Sequence, residues 1–426
     1  MRTTFIYTAL FFILNLSLVN AQKVACDCKA ELDFYYQESQ NLISFKDQFN
    51  KKDKLAYQNL FHNLKSEISG SESSIECLQI ISQLAAQIKD EHASLRMKGF
   101  DIEKSQKLTD PENLKLLKAS LYFKSLPRLD VNIDSLKTFA QAVDQSSAQG
   151  VYSNQIVTVA VTEIDAGSYQ AIVLDSESPV WEKGMVYAYF DRIEANRYQL
   201  ILAHPDHKVW YALRNEVFEN GRFFISNFKK LETPDHFDQV GSDAATFSYE
   251  KLDSETGYLR LGSFSRMSDN VSESRALYDE VKGKIDSENL IVDLRNNIGG
   301  ADKVAKPWKK LIRKFAKKNQ VFVLLNKNSA SNAEITADYL TKFDNVTLLG
   351  RDSWGACAYG SNYGNAAVSA SGLFYFMKTD MDYSYLLEYE ERGISVDIEL
   401  DLKRDWITQT QEFIKSKSRN YDLVAQ

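Results

Sequence analysis

The 426 residues are 44% hydrophobic and 26% charged, enough for two or three domains with ordinary packed cores, which excludes a disordered chain. A net charge of −7 argues against a nucleic-acid partner. The dense basic stretch Lys309, Lys310, Arg313, Lys314, Lys317 and Lys318 has helical spacing and reads as a solvated helix face.

At the N-terminus, Arg2 precedes an apolar run from Phe5 to Val19, and Val19-Asn20-Ala21 resembles a cleavage site. Residues 1–21 therefore read as a secretory signal peptide, with the mature chain starting near Gln22. The run is short for a membrane span and no later segment approaches spanning length, so no stable span is expected once the signal is removed. Cys26 lacks the upstream leucine of a lipoprotein signal, and lipidation is not expected. The chain is expected to be exported, either periplasmic or secreted. Export permits disulfides, and Cys26, Cys28, Cys77 and Cys357 allow three complete pairings among which the sequence does not choose. Cys26 or Cys28 joined to Cys77 would staple the N-terminal helices. A metal site at Cys26-x-Cys28 would lack its second half.

Residues 22–145 read as a helical N-terminal domain: Leu32, Tyr35, Tyr36 and Leu42 begin an apolar stripe, and 75–88 repeats apolar positions at helical spacing after the turn at 70–74. From 150 to 232 the pattern alternates in short runs rich in Val, Ile, Tyr and Phe, which predicts an antiparallel β module, a small barrel or sandwich with aromatic residues in its core. A linker follows. Across 245–405 strands at 257–264, 289–295, 320–326 and 345–350 are separated by helices at 271–285, 301–317 and 332–343, the signature of βαβ crossovers and a largely parallel sheet. Residues 406–426 read as a C-terminal tail. The expected fold class is multidomain α+β, with a helical domain, a β module and a C-terminal α/β core.

Ligand sites in parallel sheets gather at the carboxyl ends of strands. One such end runs Asp293-Leu294-Arg295-Asn296-Asn297-Ile298-Gly299-Gly300, where a glycine pair lets backbone N–H groups approach a ligand. No Gly-Lys-Ser/Thr follows, which argues against a phosphate loop. The other runs Asn326-Lys327-Asn328-Ser329-Ala330-Ser331-Asn332-Ala333-Glu334. Ser331 with Glu334 fits a capping box. On pattern alone the cap is the stronger reading, but a serine at a helix N-terminus past a strand also gains from the dipole and the free N–H groups, as a nucleophile would, and the two readings are compatible. The N–H groups of Asn332 and Gly300 are candidates to cradle an oxyanion.

These segments, with "VTLLGR" and "ERGISVDIEL" downstream, resemble the S41 serine peptidases, the family of carboxy-terminal processing and tricorn core proteases, over residues 250–402. The resemblance implies a crotonase/ClpP-like core, with Ser331 as nucleophile and Gly300 and Asn332 as the oxyanion hole. Processing-type members place a lysine about two dozen residues downstream, where this chain has Ala356. Tricorn-type members use a histidine from the N-terminal region, and Asp90-Glu91-His92-Ala93-Ser94 makes His92 the matching general base, though Glu91 and Ala93 depart from the usual neighbours. The glutamate before the late Gly-Val-x-Pro-Asp segment corresponds to Glu390, with Val396 replacing the proline, and the resemblance implies that Glu390 belongs to the catalytic set and polarises or orients the site indirectly. The implied activity is hydrolysis of peptide or protein substrates through an acyl-enzyme, with no cofactor and no metal. Residues 150–231 lack a PDZ carboxylate-binding loop and resemble the non-PDZ module of exported bacterial relatives. The alternative function is an inactive S41-like peptide-binding protein, motivated by Ala356, Glu91 and Ala93. A carbohydrate-binding reading rests only on the aromatic β module. Oligomeric state has no signature in the sequence.

Overall fold

The computed structural model describes residues 26–101, 107–234, 236–241 and 243–424. The signal peptide assigned to residues 1–21 lies outside them. The architecture is mixed α/β, with one parallel-rich sheet, one closed barrel and helices on both.

The six-stranded sheet runs in the order Phe247–Lys251, Thr256–Leu261, Asn289–Asp293, Gln320–Leu325, Val346–Gly350, Ile398–Glu399. The first pair is antiparallel and the others are parallel. Its central strands are apolar on both faces because both are covered. Leu259, Leu290, Val292, Val321 and Val323 face the helices Ser268–Val281, Asp302–Ala316 and Asn332–Thr341. Ile291, Phe322, Leu324 and Leu349 face Trp406 and Ile414 of a further helix, Trp406–Val424. The stretch read as a tail is thus a helix, ordered by burial of its apolar face against the back of the sheet. In Asp302–Ala316 the residues Val304, Ala305, Trp308, Ile312 and Phe315 turn inward, while Lys310, Arg313 and Lys314 are exposed as the basic face predicts.

The β module is a barrel. Strands Gly150–Ser153, Val157–Asp165, Ser168–Ser176, Val186–Glu194, Arg197–Ala203, Val209–Glu219, Arg222–Phe223 and Lys229–Lys230 pair in succession, and the last closes on the first through Tyr152 and Lys230. Phe223 packs within 5.4 Å, ring to ring, of Tyr152, Phe190, Tyr198 and Phe218, so the aromatic residues fill the barrel as core. The barrel and the N-terminal helices share one hydrophobic cluster, which includes the disulfide-bonded Cys28 and Cys77.

A strand interrupts the region read as helical. Leu95–Lys98 pairs on one side with barrel strand Val209–Glu219 and on the other with Phe374–Met377, a strand from the stretch read as the α/β core. Four residues carry no periodicity of their own, and it is the partner strands that make them extended. These pairings fix the strand that follows His92 between the barrel edge and residues 374–377 of the later chain.

Candidate active site

Two strand ends form the floor. Asn289–Asp293 ends at a buried carboxylate that accepts from Arg295 Nη2 at 2.7 Å and from the Tyr258 hydroxyl at 2.7 Å. Arg295 lies over the Trp406 ring, 5.6 Å from its centre, which couples this turn to the C-terminal helix. The neighbouring strand end is stitched to it by asparagines. Asn326 Nδ2 donates to Asn296 Oδ1 at 2.6 Å, Asn326 Oδ1 accepts the Asn296 N–H at 3.0 Å, and the Ala330 N–H donates to the Asn297 carbonyl at 2.9 Å. Ser329, fully buried, donates to the Leu294 carbonyl at 2.8 Å. The two serines of this turn therefore divide the work: Ser329 holds the loops together and Ser331 faces the cleft.

Ser331 sits at φ 56°, ψ −120°, a conformation unusual for a residue other than glycine. The capping box is firm on the glutamate side, where the Ser331 N–H donates to Glu334 Oε2 at 2.8 Å. On the serine side the Ser331 side chain faces the Glu334 N–H as the box requires, but the contact is too weak to count as a full cap hydrogen bond. Glu334 is buried, and its other contacts are the Ser353 hydroxyl at 2.6 Å and the N–H groups of Gly355 and Ala356 at 2.6 and 2.9 Å. Burial pushes its pKa up, opposed by these hydrogen bonds.

Gly299 and Gly300 bring backbone against the serine. A Cβ on Gly299 would lie 2.6 Å from Ser331 Cβ and 2.7 Å from the Asn332 nitrogen, and its φ of +88° suits glycine alone. Asn332 Nδ2 donates to the Gly300 carbonyl at 3.0 Å, tying the two candidate oxyanion residues together. The N–H groups of Gly300 and Asn332 donate to no acceptor among the described residues.

His92 lines the same cleft, whose volume is about 790 Å³ and whose lining includes Ser331, Asn332, Gly299, Gly300 and Tyr359. Among the described histidines only His92 lines it; His207, for instance, is buried against Trp181 with Nε2 on the Val180 carbonyl at 2.8 Å. Burial lowers the His92 pKa, partly opposed by the Asp90 carboxylate, so the ring is held neutral. Its Nδ1 is buried without a partner, and no hydrogen bond joins the ring to Ser331. Asp90 shapes the loop: it accepts the Ala93 N–H at 3.0 Å and the Thr379 hydroxyl at 2.8 Å.

Glu390 is buried, and its hydrogen bonds go to neither Ser331 nor the His92 ring. It accepts the N–H groups of Glu91 at 2.8 Å, Cys357 at 2.8 Å and Ala358 at 2.7 Å, and burial holds its pKa well above the usual carboxylate range. Ala356, where a processing-type lysine would stand, is occupied through its backbone by Glu334. Lys327 donates to the Ser353 carbonyl at 3.4 Å and does not line the cleft. Of the residues singled out from the sequence, Ser331, His92, Gly300 and Asn332 line this cleft, while Glu390, read there as a catalytic residue, does not. The glycine pair was read from the sequence, but no role was given to the side chains of Asn297 and Asn326, for which the Asn-Asn run before the pair was the available signal.

No family model matches the chain, and no curated protein does. Solved structures similar to it include the photosystem II D1 C-terminal processing protease, at 12% identity over 89% of this chain and 94% of that one with a TM-score of 0.35. Mature CPAF complexed with lactacystin is similar at 10% identity over 91% and 97%, TM-score 0.40. The tricorn protease is similar at 11% identity over 92% of this chain and 37% of that one, TM-score 0.41. S41 peptidases are thus among the solved structures that the chain resembles. With every TM-score below 0.5, the functional reading rests on the site's own geometry.

Proposed function

We propose that the chain is an exported serine peptidase of the S41 type. The observation that supports this most is a single cleft lined by Ser331, by a neutral His92 and by Gly300 and Asn332, whose two backbone N–H groups have no partner among the described residues. In the proposed reaction Ser331 Oγ bonds to a peptide carbonyl carbon as its proton passes to His92. The oxyanion rests against the N–H groups of Gly300 and Asn332. The C–N bond then breaks, the imidazolium returns the proton to the departing amine, and water repeats the sequence to release the acid. Glu390 is a positioning residue that holds the backbone of the His92 loop. Export is supported by the Cys28–Cys77 disulfide, a bond of oxidising compartments, and no described helix is long and apolar enough to cross a membrane.

A second reading, a peptide-binding relative without chemistry, draws on the missing Ser331–His92 hydrogen bond and the unpartnered Nδ1. Intact mass after incubation with a fluorophosphonate separates the two. Wild type is expected to gain one adduct at Ser331, Ser331→Ala none, and His92→Ala to label roughly 100-fold more slowly. An unlabelled, folded wild type would leave only the binding reading.

A further inference from the structure

Helix Asp302–Ala316 and the turn that follows it expose residues of one kind. Asp302 apart, every exposed position from 302 to 318 is a cation: Lys303, Lys306, Lys310, Arg313, Lys314, Lys317 and Lys318. At about 100° and about 1.5 Å per residue they fall within an arc of about 140° and a length of about 22 Å. None of them has a carboxylate partner among the described residues, and Asp302 is taken by Lys309 at 2.6 Å. The neighbouring helix Ser268–Val281 turns Ser274 and Tyr278 toward Trp308. Its Glu273 and Glu280 line a separate groove beside Phe247, and its Asp279 is engaged by Lys282. Like charges three and four residues apart repel, so this face costs stability and is not compensated within the fold. It does so on a chain whose net charge is −7.

The make-up of the face narrows its partner. All but Arg313 are lysines, compact charges that suit a field of phosphates better than the bidentate contacts arginine makes with single carboxylates. No exposed aromatic or large apolar residue lies among them to anchor a protein, and lysine is depleted at protein interfaces. An exported chain meets lipid surfaces rather than nucleic acid. The helix's own apolar face, with Val304, Trp308, Ile312 and Phe315, is packed into the core, so nothing is left to insert and the contact is electrostatic. We propose that this face docks the protein on an anionic phospholipid bilayer, with the lysine ammonium groups against lipid phosphates. Lys303, near the start of the helix, also lines the Ser331 cleft, so docking sets the mouth of the cleft beside the headgroups. Docking requires no chemistry at Ser331.

The test is vesicle flotation with the chain from Gln22 onward, so that the apolar run 5–19 cannot itself bind lipid. One set of vesicles mixes phosphatidylglycerol with phosphatidylcholine and the other is phosphatidylcholine alone. The protein is expected to float with the anionic vesicles, to stay behind with the neutral ones, and to be released as ionic strength rises. A basic residue near an anionic surface is worth about fivefold in partitioning, so Lys310→Gln/Lys314→Gln/Lys317→Gln should weaken binding by about 100-fold. Lys51→Gln/Lys52→Gln/Lys54→Gln removes the same charge from exposed positions on helix Lys51–Glu67 and should weaken it by less than about fivefold. No binding to anionic vesicles, equal binding to both kinds, or an equal loss in the two triple variants would each overturn the docking surface. Capture by soluble polyphosphate without flotation would assign the face to a free polyanion and overturn it as well.

Discussion

The serine half and the histidine half of the cleft are each built on a buried glutamate, and the two are used differently. Glu334 lies within the helix that Ser331 begins and takes Ser331, Ser353, Gly355 and Ala356 into its carboxylate. Glu390 takes the next two residues of the same loop, Cys357 and Ala358, together with Glu91. The loop 353–358 is thus a bracket whose first half is fastened to Ser331 and whose second half is fastened to the loop of His92. Ser331 is held directly by its own main chain. His92 is held at one remove, through Glu91 and through Asp90 and Thr379, so its position depends on the barrel edge and the strand Phe374–Met377.

The sharpest way to break the serine half is Gly299→Ala. The added Cβ has nowhere to go but into Ser331 and the Asn332 nitrogen, and displacement of either by a fraction of an ångström should slow fluorophosphonate labelling by about 100-fold or more. The rate constant of adduct formation by mass spectrometry measures it. Near-normal labelling would mean that the Gly299 turn does not set the nucleophile.

The two glutamates should differ in stability by the number of donors each leaves stranded. Glu334→Ala orphans four donors and Glu390→Ala three, at about 1 kcal/mol each, so losses of about 4 and about 3 kcal/mol are expected in urea unfolding. The more telling contrast is functional. Where the proteins remain folded, Glu390→Ala should slow labelling through a displaced His92, so that combining it with His92→Ala adds little. Additive effects would show that Glu390 does not act through the histidine.

Much of the α/β half could be read from the sequence because its signals are local. Strand, glycine pair and serine cap each occupy a few consecutive residues, and Ser331-x-x-Glu334 announced one of Glu334's hydrogen bonds. The other three come from residues 353–356 and exist only once the sheet has formed. Gly299 differs from Gly300 in the same way, since its need for an absent side chain is visible only when Ser331 is placed over it. The barrel's long strands alternate and were readable as a β module. Its closing strands, Arg222–Phe223 and Lys229–Lys230, are two residues each and have no pattern to detect. The base loop was legible as a histidine but not as a position, because strand Leu95–Lys98 owes its conformation to partners more than a hundred residues away.

A pH measurement sharpens the comparison on the histidine side. Glu91 is pushed up to about 7, first by burial, with Arg214 opposing and Glu391 reinforcing. A carboxylate with a raised folded pKa binds its proton more tightly in the native state, so the contribution of Glu91 to stability is greatest at low pH and falls as the pH rises from about 4.5 to about 7. Glu91→Gln should reduce that fall by on the order of 3 kcal/mol, read from urea midpoints at several pH values, whatever it does to stability at any one of them. An unchanged slope would assign the titration to the other buried carboxylates.

The smallest expected effect is the most specific to the proposed chemistry. His92 must be neutral to accept the serine proton, and burial lowers its pKa below the ordinary 6.5 while Asp90 raises it. The acidic limb of the labelling rate should therefore have its midpoint below 6.5. Asp90→Asn should move that midpoint lower still, by up to about one unit, because the opposing charge is gone and burial remains. The same substitution loosens the hydrogen bond from Thr379, so Thr379→Val is the control: it disturbs the loop without removing the charge. A midpoint that moves equally in both variants would trace the shift to loop position, and one that moves only in Asp90→Asn would identify Asp90 as the charge that His92 feels.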